Sequence, residues 1–120
     1  MSNKILRAVN KTRGVPIITR GVLADTWWTR LKGLLGHAPL QSGEGLLLKG
    51  EKAIHTVGMG FPIDVLFLDR TGKIVHLMTD MGPLRFSPFV SRAANVLEIA
   101  AGQAAQTGTT LGDQIEISFS

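Results

Sequence analysis

Apolar and polar residues alternate with period two along most of the chain. Ile115, Ile117 and Phe119 stand against Gln114, Glu116 and Ser118, the pattern of a strand with one face buried. The same reading covers Ile5 to Val9, Val15 to Leu23, Gly45 to Leu48, Ile63 to Leu68, Ile74 to Met78 and Ala94 to Ile99, so the pattern rules predict about seven strands. Asp69-Arg-Thr-Gly72-Lys73 joins two of them as a hairpin, with the glycine able to supply the left-handed residue of a bulged turn. Two stretches read as short helices. Residues 26–35 follow a capping Asp25 or Thr26 and end at Gly36, which places Trp28, Leu31 and Leu35 on one face. Residues 101–107 are closed by Gly108. No repeat, linker or low-complexity block divides residues 1–120, so the expectation is a single, mainly β domain, a sandwich or barrel with two short helices.

Composition narrows the chemistry. With 44% hydrophobic and 18% charged residues the chain is globular rather than disordered. It has no cysteine, which removes thiolate zinc sites, iron-sulfur clusters, thiol nucleophiles and redox pairs. The longest wholly apolar run, Val65 to Leu68, falls far short of the roughly 20 residues that span a bilayer. Lys4, Arg7, Lys11 and Arg13 interrupt the N-terminal apolar stretches before a signal-peptide core forms, giving the expectation of a cytoplasmic protein.

The net charge of +4 is unevenly placed: residues 1–60 hold nine basic and three acidic side chains, and residues 61–120 hold four and six. Lys4, Arg7, Lys11, Arg13, Arg20, Arg30 and Lys32 could form a stripe for nucleic acid or another anion. No aromatic-basic RNA motif or recognition helix accompanies them, so a solvated face is the simpler reading and any nucleic-acid binding would be weak, nonspecific and lost as salt rises.

The segment Ala53 to Asp64 sets polar groups inside an otherwise apolar connection between strands. His55, Thr56 and Met59 lie beside two glycines, Gly58 and Gly60, that make the backbone adaptable; the stiff Pro62 follows, and Asp64 enters an apolar strand. A carboxylate there needs solvent, a cation or backbone N–H donors. The upstream loop amides are the nearest donors, so the expectation is that Asp64 pins the His55 to Pro62 loop. His55 reads either as a hydrogen-bonded core side chain or as a ligand or base. His55 with Met59, or with Asp64 or His76, lacks a diagnostic metal spacing, so neither a metal nor another cofactor is expected. A carboxylate pair of Asp64 with Glu98 is a weak alternative, because Glu98 alternates with Leu97 and Ile99 and should face water. No nucleophile elbow or complete phosphate or dinucleotide loop is present.

Several segments together resemble the domain of unknown function family 192. They are Asp25 to Gly36, Gly43 to Leu48, Ile54 to Asp69 with its Ile-His-Thr and Phe-Pro-Ile-Asp motifs, Val96 to Ile99 with Gly102, and Gly112-Asp113. The resemblance covers nearly the whole chain. It implies a compact, mainly β fold of jelly-roll or barrel type and no particular activity, and it gathers polar residues at Arg30, His55, Thr56, Met59 and Asp64. Against the family pattern, a cysteine is absent before Ile54, Gly60 replaces a basic residue and Ala100 replaces a proline. The functional expectation is a β domain that binds an unidentified small molecule or protein through the His55 to Asp64 segment. A small hydrolase-like or metal-dependent enzyme using His55 and Asp64 is the alternative.

Overall fold

A computed structural model describes residues 4–23, 39–57 and 59–120. The expected helix over 26–35, with Arg30, Trp27 and Trp28, lies outside the described residues, as do His37 and Gly58. The strands are β1 (Leu6–Asn10), β2 (Val15–Leu23), β3 (Gly43–Lys49), β4 (Ile63–Leu68), β5 (Ile74–Met81), β6 (Asn95–Ala100) and β7 (Ile115–Phe119), with α1 (Gln103–Thr107) between the last two. Each strand falls where period two or an unbroken apolar run placed it. The second expected helix forms at α1, closed by Gly108 in the left-handed conformation at φ 69°, as a C-cap glycine does.

The strands make one sheet in the order β5-β4-β6-β3-β2-β1-β7. Neighbours are antiparallel except β2 and β3, which run parallel. The sheet curls until its two edges meet at one end. Lys73 bridges Gln114, Ile74 donates to the Asp113 carbonyl at 2.9 Å, and Ile115 donates to the Gly72 carbonyl at 2.9 Å. Of the sandwich and barrel alternatives, this is the barrel-like one, a half-barrel. β1 lies beside β7, with Leu6 opposite Phe119, and Ile5 and Ser120 exchange N–H···O bonds of 2.8 and 3.1 Å.

Both faces of the sheet are covered over β4, which explains its apolar run from Val65 to Leu68. Leu66 and Leu68 point into a cluster with Leu6, Ile17, Leu97 and Ile99. Ile63, Val65 and Phe67 point into a second one with Leu46, Leu48, Val96 and Met81. Ala104 of α1 belongs to the first cluster, whereas Ile54 and Phe61 from the β3–β4 connection cover the second. The two sides of the sheet thus carry different coverings.

Candidate functional site

The β3–β4 connection is held against the segment that follows β5. Val90 donates to the Lys52 carbonyl at 2.7 Å, Ser87 to Ile54 at 2.9 Å and Thr56 to Arg85 at 2.9 Å, while His55 and Phe86 form an antiparallel bridge. The buried Thr56 hydroxyl completes the join, donating to the Gly82 carbonyl at 2.7 Å and accepting the Arg85 N–H at 2.9 Å. Its donor and one of its acceptor sites are thus used in joining the two segments.

His55 is exposed. Its Nδ1 accepts the Val57 N–H at 3.2 Å, and its ring lies 5.9 Å from that of Phe86 at a tilt of 46°. On the same two segments Leu84, Phe86 and Phe89 are 71%, 72% and 72% exposed and Val57 is 39% exposed. Leu84 also holds a positive φ of 59°, a conformation that costs a non-glycine residue of order 1–3 kcal/mol and gathers at functional segments. Arg85, between Leu84 and Phe86, is exposed and has no carboxylate within ion-pair distance among the described residues.

Met59 and Asp64 are placed differently from the exposed His55. Met59 packs on the second cluster, and Asp64, which alternates with Ile63 and Val65, points to the opposite side of the sheet. There Asp64 is fully buried. Its Oδ1 accepts the Asp80 N–H at 2.8 Å, and its Oδ2 accepts those of Gly102 at 3.1 Å and Ala104 at 3.0 Å. The expectation that Asp64 would collect amides from the His55 to Pro62 loop is therefore corrected. It caps α1 from a distant strand and holds Asp80, itself at a positive φ of 52°. Among the described residues no three His, Asp or Glu side chains gather as a metal set would require. His76 packs edge-on against Phe67 instead, with centroids 5.4 Å apart.

Glu98 overturns the expectation that it faces water. β6 is buried on both faces from Val96 to Ala100, and Glu98 sits across from Leu46 and Val65 on the second face. It is 3% exposed. Burial pushes its carboxyl up to about 7 from an ordinary 4.5, since an apolar setting disfavours the charged form. With Asp64 on the first face and Glu98 on the second, they are not an acid pair.

The basic first half of the chain is not a bare stripe either. Lys11 lies 3.8 Å from Glu116, Arg20 3.8 Å from Glu44, and Arg13 donates to Asp113 at 2.8 Å. Sheet pairing brings the acidic partners to β1, β2 and the turn between them.

The profile of domain of unknown function family 192, described as an uncharacterised ACR, matches residues 8–117. The chain belongs to this family. A UPF0127 protein from Thermococcus sibiricus is 30% identical over 112 residues, which span 90% of this chain and 72% of that one. A protein of unknown function from Novosphingobium aromaticivorans shares the fold at a TM-score of 0.74, with 24% identity over 92% of this chain and 82% of its own. A protein from Sinorhizobium meliloti, described as a candidate transcription regulator, superposes with a TM-score of 0.73 and 25% identity over 94% and 91% of the two chains. No specific activity attaches to the family 192 fold through these relatives.

Proposed function

We propose that this family 192 chain is a noncatalytic partner-binding β domain whose contact surface is the His55 to Met59 loop together with the segment from Gly82 to Val90. The exposed apolar side chains of Val57, Leu84, Phe86 and Phe89 on these two segments, with Phe86 beside the His55 ring, carry this reading. Exposed large apolar side chains on a rigid support favour a macromolecular contact. Thr56 and the hydrogen bonds between the two segments supply the rigidity. Arg85, between Leu84 and Phe86 in sequence, adds an exposed cation, so the fitting occupant is a protein segment that presents apolar side chains beside a carboxylate. Met59 and Phe61 support the loop from beneath, and Asp64 acts through the scaffold.

Fluorescence anisotropy with defined peptides, each carrying a Leu or Phe pair next to an Asp or Glu, tests the reading. Saturable binding that Phe86→Ala weakens about tenfold or more, and that Arg85→Gln weakens for acidic peptides alone, is the expected result. Equal binding by the parent and Phe86→Ala, at unchanged melting temperature, overturns it. So does self-association through this surface in sedimentation, which would assign it to a second copy.

A further inference from the structure

A second surface lies at the tip of the β4–β5 hairpin. A groove of about 700 Å³ separates the hairpin turn from the chain leading into β6, and Lys52, Arg70, Thr71, Ser91 and Arg92 line it. A smaller cavity of about 300 Å³ adjoins it at Asp69 and Arg92 and adds Lys73 and Gly112. Four cations thus face the connected space, against the one carboxylate of Asp69. That carboxylate is committed to the turn, where Oδ1 accepts the Thr71 N–H at 2.9 Å, the Thr71 hydroxyl at 2.7 Å and the Lys73 N–H at 3.0 Å.

The cations differ in availability. Lys52 donates to the Ser91 carbonyl at 2.9 Å and to that of Ala93, which fixes the Ser91 to Ala94 wall. Among the described residues neither Arg70, Lys73 nor Arg92 has a carboxylate within ion-pair distance, and all three are exposed. Such a set around a concavity is an incomplete electrostatic arrangement that an anion would complete. The forked guanidinium donors suit the oxygens of phosphate. The groove is of the size that holds small molecules and exceeds what inorganic phosphate fills. Its polar lining offers the Thr71 and Ser91 hydroxyls and no aromatic ring on which a base could stack.

We propose that this groove binds a small phosphorylated polyol, with Arg70 and Arg92 clasping the phosphate and the hydroxyl-bearing wall receiving the rest. The site stands apart from the His55 surface and succeeds or fails independently of it. Isothermal titration of the full chain with a hexose phosphate and with inorganic pyrophosphate, at constant ionic strength held with chloride, provides the test. Saturable one-to-one binding is expected. Arg70→Gln and Arg92→Gln should each weaken it tenfold or more, Arg92→Lys less so because it keeps charge and loses the fork, and Phe86→Ala not at all. Both arginines are exposed, and unchanged melting temperatures will show that the variants fold. Absence of saturable heat, or equal affinity in the parent and both glutamine variants, overturns the proposal. Duplex DNA binding that uses the same arginines and outcompetes both phosphates also overturns it, since the groove would then serve a polymer backbone.

Discussion

Both oxygens of Asp64 meet backbone N–H donors from outside its own strand, so its removal leaves three amides without that acceptor, the one of Ala104 buried. Asp64→Ala should destabilise by roughly 1–3 kcal/mol, the range for orphaned buried hydrogen-bonding groups. Asp64→Asn should recover part of that, since one oxygen remains while the new amide nitrogen faces a donor. Hydrogen exchange should show Asp80, Gly102 and Ala104 losing protection, and unchanged protection there would refute the capping role. Glu98 gives the pH dependence. Its folded carboxyl titrates at about 7 against an ordinary 4.5, so between those values the folded state binds more protons and stability falls as pH rises. At about 1.4 kcal/mol per pH unit the full loss above neutrality is roughly 3 kcal/mol. Glu98→Gln should flatten the slope of melting temperature between pH 5 and 7 and raise it at pH 8. A parallel pH profile in parent and variant would remove Glu98 as the cause. Neither residue's role was fully legible beforehand. The need of Asp64 for N–H donors followed from its apolar neighbours, but the donors come from elements 16 to 40 positions away, which local reasoning does not reach. Glu98 misled because period two implies a wet face only where one face of the strand is uncovered.

At the scale of elements, the strands were most legible where burial alternates, as in β1, or runs through the core, as in β4 and β6. The Asp69 to Lys73 hairpin shows how much such a turn can decide. Gly72 has a φ of 91°, and a Cβ there would sit 2.4 Å from the Ile115 carbonyl. Conformation and contact both exclude a side chain. Gly72→Ala should lower stability by roughly 1–3 kcal/mol, and amide exchange at Ile74 and Ile115 should accelerate more than that at Leu66 or Leu97. Uniform acceleration would mean that the turn does not control the meeting of β5 with β7. The surface segment after β5 was the least legible part, since Leu84, Phe86 and Phe89 follow no period and the pairing of Phe86 with His55 arises through hydrogen bonds between segments distant in sequence.

For the whole molecule, folding offsets part of the linear imbalance of charge. β1 and β2 and their turn carry the basic residues that Glu116, Glu44 and Asp113 approach, which leaves the hairpin-tip groove as a place where cations gather without carboxylate partners among the described residues. Elution from an anionic matrix should accordingly shift to lower salt in the Arg70→Gln, Arg92→Gln double variant more than in Lys11→Gln, Arg20→Gln. The reverse ranking would locate the attractive field in the first half of the chain.

The pairing of β1 with β7 has a consequence for covalent order. Because Ile5 and Ser120 are hydrogen-bonded neighbours, residues 5–120 trace almost a closed circuit, and where that circuit is cut matters less than which strands lie side by side. Fusing residue 120 to residue 4 through a few glycines and opening the turn at Gly14, where a Cβ would meet nothing within 4 Å, would keep every strand pair. The permuted protein should reach the same fold with β1 as its last strand rather than its first. The cut makes β1 with β2 the distant pairing and β7 with β1 the local hairpin, so one exchange offsets the other and the folding rate should stay within about tenfold of the natural order.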